Sequence, residues 1–200
     1  MLRADAPRAL VIVALLTGCW TAVDTGYVLP DNALLPNLVI SALAIALQYW
    51  VTRGVLRDWG LGPLRFRLLA YLLLGLVASL GISLGLLLLL VPGIILAVRW
   101  SLAGPVLVGS DKGVVESLQI SWLETEGHFW PILAASLVLY GPPLVFRIVE
   151  VVMGLNVAEP LVLATAIGLV EIVLLVASWY LTLAMFTLIL EPDPLQEVFE

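Results

Sequence analysis

Long runs of apolar residues dominate the chain, and most polar residues are gathered between them. A helix that crosses a bilayer needs about 20 predominantly apolar residues, and six stretches of this chain come close to or exceed that length. The pattern therefore predicts an all-α polytopic membrane protein, with six transmembrane helices in a single membrane domain over residues 1–200. The predicted spans cover about residues 9–29, 33–52, 68–91, 93–109, 129–153 and 161–190.

Glycine and proline mark the breaks expected within this pattern. Pro92-Gly93 predicts a tight reversal between the third and fourth spans, because proline cannot continue a helix and glycine tolerates unusual dihedrals. Gly141-Pro142-Pro143 predicts an interruption of the fifth span. Such an interruption frees backbone carbonyls, which is tolerated in a membrane where they line a cavity or pack against protein.

Residues 53–67, between the second and third spans, combine basic and aromatic side chains. Trp59 and Phe66 accompany four arginines, which are Arg53, Arg57, Arg65 and Arg67. Arginine beside an aromatic ring suits the headgroup region of a membrane. These arginines are therefore candidate lipid-headgroup contacts, either as a general positively charged anchor or as a specific pocket for an anionic lipid.

Residues 111–127 show helical rather than random spacing. Val114, Val115, Leu118 and Trp122 fall on one face, and the acidic residues of the segment lie off that stripe. The spacing predicts one short interfacial amphipathic helix whose acidic face could turn toward the arginines of residues 53–67. A simple connector between the fourth and fifth spans is the alternative.

Composition removes several classes of protein. Hydrophobic residues make up 62% of the chain and charged residues 12%, whereas soluble domains are about half apolar and about a quarter charged. A water-soluble enzyme is therefore excluded. Nucleic-acid binding is excluded as well, because only nine residues are basic and the net charge is −6.

The distribution of basic residues predicts the orientation. Lys and Arg near span ends collect on the cytoplasmic side. Here Arg3 and Arg8 precede the first span, four arginines lie in residues 53–67, and Lys112 lies between the fourth and fifth spans. We therefore expect six spans with both termini in the cytoplasm. Leu16-Thr17-Gly18-Cys19 also resembles a lipoprotein cleavage box, so lipidation of Cys19 is an alternative to a retained first span.

No residue pattern supports catalysis, a metal site or a cofactor. Gly81-Ile82-Ser83-Leu84-Gly85 matches the serine-hydrolase motif, but it lies within a predicted helix and far from His128, the only histidine. Gly81 and Gly85 are better explained as a small-residue face for close helix packing. That face can lie within the bundle or between subunits of a homo-oligomer.

Charged residues within the predicted spans form a candidate intramembrane polar site: Arg99, Glu171, Arg147 and Glu150. Intramembrane charge is costly and is usually paired or turned toward a cavity. Arg99 is the predicted partner of Glu171, and Arg147 and Glu150 lie three residues apart on one helix face. Either a set of buried ion pairs or a polar cavity would satisfy these side chains.

One stretch carries a family resemblance, and its residues are Pro92-Gly93-Ile94, Arg99-Trp100-Ser101-Leu102-Ala103, Pro105-Val106-Leu107-Val108, Glu116-Ser117-Leu118, Ser121-Trp122 and Gly127-His128-Phe129-Trp130. This stretch resembles the YciC-like family of uncharacterised bacterial inner-membrane proteins. It is also similar to the membrane domain attached to some glycerophosphodiester phosphodiesterases. The resemblance implies a six-helix bacterial membrane protein and supplies no catalytic residues. Glu126 departs from the family pattern, in which a basic or neutral residue precedes the glycine.

These observations favour a non-enzymatic protein of envelope or lipid homeostasis that binds lipid between its helices, with membrane lipids as its partners. The alternative is a small transporter or channel with a polar intramembrane site around Arg99 and Glu171. Co-purified lipid would favour the first function, and ion- or proton-dependent flux the second.

Overall fold

The structure is a computed structural model that describes the backbone of residues 2–24, 34–61, 65–153 and 161–190. Over these residues it contains helices and no strand, which confirms the all-α prediction. The helices are α1 (Leu2–Asp24), α2 (Leu34–Asp58), α3 (Leu68–Leu88), α4 (Leu90–Arg99), α5 (Ala103–Gly109), α6 (Val114–Glu124), α7 (Phe129–Met153) and α8 (Leu161–Leu190), with a 3₁₀ turn at Glu126–His128.

Four stretches of the described chain are long and apolar enough to cross a membrane: Leu38–Asp58, Leu68–Leu88, Leu90–Gly109 and Thr165–Leu190. The apolar part of α1, Pro7–Cys19, is shorter. Only four of the six predicted spans therefore have this support, and the remaining two stay a prediction.

The outer surfaces of these helices are strongly apolar. Leu69, Leu87 and Leu188 each expose more than four-fifths of their surface. Exposing a leucine to water forfeits about 1.5–3 kcal/mol of burial free energy, and large contiguous apolar surfaces mark contact with another apolar phase. The described helices are thus compatible with a membrane protein.

Helix α2 extends beyond the predicted end of the second span at residue 52. Its end at Asp58 is followed by Gly60, which has a φ of 75°. The Gly60 N–H donates to the Arg57 carbonyl at 3.0 Å, and the Leu61 N–H donates to the Leu56 carbonyl at 2.9 Å. This pair of bonds is a Schellman motif, in which glycine adopts the left-handed conformation that closes the helix. Arg53 and Arg57 are therefore helical rather than part of a loop.

The reversal between α3 and α4 is at Leu89 rather than at Pro92-Gly93. Leu89 has extended dihedrals, with φ −156° and ψ 130°, and α4 begins at the next residue. Pro92 lies in the first turn of α4, where N–H groups have no helical partner and a missing one costs little. Gly93 instead permits close contact, since a Cβ added there would clash with Leu86.

The predicted fourth span consists of two helices, because the chain leaves helical geometry between Arg99 and Ala103. In α7 the opposite is found. The helix continues through Gly141-Pro142-Pro143, so the predicted interruption of the helix is wrong. Proline still has no N–H, so Pro142 cannot donate to the carbonyl of Val138.

Two compact units divide the chain. The first unit contains Met1–Leu47 and Ala135–Ser178, and the second contains Gln48–Ala134 and Trp179–Glu200. Ile12, Leu16 and Val176 are buried in the first unit, whereas Leu56, Leu102, Leu107 and Leu183 are at most 1% exposed in the second.

The contact of α3 with α4 generates a testable prediction. A Cβ added to Gly85 would lie 2.8 Å from the Gly93 Cα atom, so backbone rather than a side-chain tip must move. Gly85→Leu should therefore lower the free energy of unfolding by about 1–3 kcal/mol or more. Thermal unfolding in detergent measures this change.

Gly18→Leu is the matched control, because a Cβ at Gly18 meets nothing within 4 Å. That variant should melt close to the wild-type temperature. If Gly85→Leu also keeps the wild-type melting behaviour, the contact between α3 and α4 is not a packing constraint.

Candidate functional site

The second unit is built around an antiparallel helical hairpin. Helix α3 runs against α4 and then α5, so that Gly85 lies beside Gly93, Gly81 beside the Trp100 ring, and Tyr71 beside Gly104. Gly85 thus meets neighbouring backbone, whereas Gly81 meets an aromatic side chain. Both glycines lie on the face of α3 that packs within the chain.

Helix α6 runs beside this hairpin and supplies hydrogen-bond partners at the break between α4 and α5. The Ser121 hydroxyl donates to the Arg99 carbonyl at 2.7 Å and accepts from the Leu102 N–H at 3.1 Å. Thr125 adds a longer contact from its hydroxyl to the same Arg99 carbonyl, at 3.4 Å. Ser121 and Leu102 are both fully buried. Two backbone groups released by the helix break are thereby satisfied by one side chain.

The buried face of α6 differs from the predicted apolar stripe. Ser117, Ser121 and Thr125, spaced four residues apart, are fully buried, while Val115 is 65% exposed and Trp122 39% exposed. Leu118 alone of the predicted stripe is buried. Small hydroxylated residues at this spacing let two backbones approach closely. The spacing Ser117-x₃-Ser121-x₃-Thr125 is a sequence signal that the hydrophobic pattern concealed.

Arg99 belongs to this same junction. Its Nη1 donates to the Trp122 carbonyl at 3.2 Å. Its guanidinium lies 5.3 Å from the Trp122 ring centroid and 5.9 Å from that of Phe129. A cation at a helix C-terminus complements the helix dipole, and stacking on aromatic rings adds a cation–π attraction. Arg99 therefore acts as a cap that holds the C-terminal end of α6.

At the opposite end of α6, two polar segments are tied together. The Arg67 Nη1 donates to the Lys112 carbonyl at 2.6 Å and to the Ser110 carbonyl at 3.4 Å. Arg65 lies 3.7 Å from Asp111. The Tyr49 hydroxyl accepts from the Arg67 N–H at 2.8 Å. These contacts come from Asp111 and from the carbonyls of Ser110 and Lys112, which precede α6, and not from the acidic face of the helix that was predicted to turn toward the arginines.

The polar residues that lie off the predicted stripe have separate places. Glu116 accepts a bond from the Gly113 N–H at 2.9 Å and so caps its own helix. Gln119, Glu124 and Glu126 are exposed.

The first unit contains a cavity of about 520 Å³ between its helices. Leu16 of α1, Ala44 of α2, Leu144 of α7 and Ile172 of α8 contribute to walls that are mostly apolar. Three of the lining residues have polar side chains: Ser41, Tyr140 and Glu171. Ligand cavities commonly measure about 300–1,000 Å³, with apolar walls and a small number of polar groups. This cavity has those properties.

Arg99 and Glu171 of the predicted intramembrane site belong to different units of the chain. Glu171 lines the cavity of the first unit, whereas Arg99 caps α6 in the second. The predicted pairing of Arg99 with Glu171 stays a prediction. Arg147 and Glu150 lie in α7, and their side chains are outside the described part of the structure.

Other candidates from the sequence occupy simpler positions. Ser83 is exposed within the continuous helix α3, so the motif that contains it lacks the strand–turn–helix geometry of a hydrolase. His128 is exposed in the 3₁₀ turn, and Cys19 is a partly exposed free thiol in α1.

No family model, curated protein or solved structure matches the chain. The resemblance to the YciC-like family stays a prediction.

The junction of α4, α5 and α6 generates the second testable prediction. Ser121→Ala removes two buried hydrogen bonds and strands the Leu102 N–H, so it should lower the free energy of unfolding by about 1–3 kcal/mol. Denaturant or thermal unfolding in detergent micelles measures the difference from the wild type.

Ser117→Ala provides the control on the same helix face. The Ser117 hydroxyl is equally buried, but it donates only to the Gly113 carbonyl, which already accepts the Ser117 N–H at 2.9 Å. Ser117→Ala should lower the free energy of unfolding by clearly less than Ser121→Ala does. Equal losses for the two variants would show that the bridge across the helix break contributes nothing beyond burial of a hydroxyl.

Proposed function

We propose that this protein is a non-enzymatic membrane protein that binds a lipid acyl chain in the cavity of its first unit. The observation that carries the proposal is the cavity itself, with a volume of about 520 Å³ and mostly apolar walls. Its biological role would then lie in envelope or lipid homeostasis.

The chemistry of the walls indicates how such a ligand would be selected. Within a bilayer an acyl chain gains little by leaving one apolar environment for another, so packing and polar contacts decide the affinity. Ser41, Tyr140 and Glu171 are the polar side chains on the walls. A lipid whose hydroxyl, amide or amine meets these groups would be preferred over one that presents only hydrocarbon.

The proposed setting is the bacterial inner membrane, with six spans and both termini in the cytoplasm. Two observations support this topology. The Lys and Arg residues collect at one set of span ends, as the positive-inside rule requires. In the second unit, Gly109 at the end of α5 lies near Leu56 of α2 and Phe186 of α8, so the ends of three proposed spans lie together. In this proposal α1 and α7 are transmembrane helices as well, as the first and the fifth of the six spans.

Filling the cavity tests the lipid proposal. Ala44 lines the cavity, and Ala44→Trp would place an indole ring in it. The full chain is reconstituted with a phospholipid that carries a photoactivatable group in its acyl chain, and cross-linked residues are located by mass spectrometry. Wild-type protein should be labelled at residues 168–175 of α8. Ala44→Trp should reduce this labelling by about tenfold, the equivalent of about 1.4 kcal/mol.

Ala42→Trp is the matched control, since Ala42 is an exposed alanine of the same helix that does not line the cavity. It should leave the labelling of α8 unchanged. If both tryptophan variants are labelled like the wild type, the acyl chain does not occupy the cavity and the proposal fails.

Glu171 supports a second proposal, a small transporter or channel. An ionisable residue on the wall of an intramembrane cavity is a frequent element of ion and proton pathways. For this function, ion- or proton-dependent flux into liposomes should be measurable with wild-type protein. Glu171→Gln should abolish that flux while the melting temperature changes little. Absence of flux together with acyl-chain labelling would decide for lipid binding.

A further inference from the structure

Several candidate spans end close together in the second unit. Helix α2 ends at Asp58, α3 begins at Leu68, and α5 ends at Gly109. A Cβ at Gly109 would lie 3.6 Å from both Leu56 and Phe186, which places the end of α8 at the same level. Because the apolar segments stop here and charged residues follow, the boundary between hydrocarbon and water passes through this region.

One arginine of this region is committed to the fold. Arg67 uses its Nη1 to bind the carbonyls of Lys112 and Ser110, and its backbone N–H to bind the Tyr49 hydroxyl. It joins the start of α3 to the segment between α5 and α6. Arg67 is therefore not one of the cations proposed to bind a ligand.

Other cations of the region reach outward. The side chains of Arg57 and Arg65 are 69% and 74% exposed, and Lys112 is exposed as well. Arg57 lies 3.8 Å from its neighbour Asp58, and Arg65 lies 3.7 Å from Asp111. Exposed pairs near the 4 Å limit contribute little to stability, because water and salt screen them. An external anion can therefore compete with both carboxylates.

An exposed aromatic ring accompanies these cations. Phe66 is 70% exposed. The Arg53 guanidinium lies 5.6 Å from the centroid of the Phe66 ring, and the Tyr49 ring packs edge-on against Phe66 at 5.8 Å. An apolar ring beside a cation at the edge of the hydrocarbon matches the glycerol and phosphate region of a phospholipid. A free phosphate ion would gain nothing from contact with the apolar Phe66 ring.

We propose that Arg53, Arg57, Arg65, Phe66 and Lys112, here called the basic rim, bind the headgroup of an anionic phospholipid. The rim contains four cations, and two carboxylates, Asp58 and Asp111, lie beside its arginines. The whole chain carries a net charge of −6, which repels anionic lipid at long range. The Debye length is only about 8–10 Å at physiological salt, so the local excess of positive charge governs binding at the rim.

The Arg65–Asp111 pair gives the rim a specific signature. Asp111 competes with the headgroup for Arg65, so neutralising Asp111 should strengthen lipid binding while neutralising Arg65 weakens it. A purely structural ion pair would not behave this way, because removing either partner would then act in the same direction, through stability alone.

The test uses the full chain reconstituted in phosphatidylcholine vesicles that contain a trace of spin-labelled phosphatidylglycerol or spin-labelled phosphatidylcholine. Electron paramagnetic resonance gives the motionally restricted fraction of each probe, and hence the preference of the protein for the anionic lipid. Wild-type protein should prefer phosphatidylglycerol, and the preference should fall as salt is raised. Each of Arg57→Gln, Arg65→Gln and Lys112→Gln should reduce the preference by up to about fivefold.

Three further outcomes decide the proposal. Asp111→Asn should raise the preference, and Ala44→Trp, which changes no residue of the rim, should leave it unaltered. Inorganic phosphate at millimolar concentration should displace little of the lipid probe. Three results would overturn the proposal: equal binding of the two probes by wild-type protein, full displacement by inorganic phosphate, or an unchanged preference in the variant that combines Arg57→Gln, Arg65→Gln and Lys112→Gln. Because the acyl-chain proposal rests on different residues, either proposal can fail without the other.

Discussion

The bond network of the Ser121 hydroxyl holds the second unit together. A helix that breaks in an apolar environment leaves backbone groups without partners, and each such group is costly when water cannot reach it. Between α4 and α5 this cost falls on the Arg99 carbonyl and the Leu102 N–H, and Ser121 satisfies both. The break can exist only because α6 returns along the hairpin and presents a hydroxyl there. The position of α6, the burial of Ser117 and Thr125, and the capping contact of Arg99 all follow from this one junction.

Close packing of small residues supports the same unit on the other side of the hairpin. Gly85 and Gly93 bring the backbones of α3 and α4 together where any side chain would force them apart. Apolar side chains such as Leu87 remain directed outward. Association of helices in lipid depends on van der Waals fit and polar contacts rather than on the hydrophobic effect. The fold accordingly uses glycine, serine and threonine at its internal contacts and places many of its leucines on the outside.

The charged residues divide into those that hold the fold and those that meet the surroundings. Arg99 and Arg67 each donate through Nη1 to backbone carbonyls, at the end of α6 and in the segment between α5 and α6 respectively. Arg57 and Arg65 reach outward with weak local partners. Glu171 lines a cavity in the other unit. Residues of the same type therefore differ in whether their charged groups are accessible to a ligand. For this reason the proposed lipid sites contain some of them and omit others.

The sequence by itself determined the all-helical class, several helix boundaries, and four of the six predicted spans as stretches able to cross a membrane. Each of these depends on local composition and on the length of an apolar run. Which face of α6 is buried, where α3 reverses at Leu89, and how α7 continues through Gly141-Pro142-Pro143 were decided by the tertiary structure. In α6 the hydrophobic stripe pointed to Val115 and Trp122, yet the buried positions are Ser117, Ser121 and Thr125. The reason is physical: the break between α4 and α5 needs a hydroxyl beside it, and the hydrophobic pattern of α6 carries no information about that break. Steric fit and the need to satisfy buried backbone groups make that choice, and both depend on which helices become neighbours.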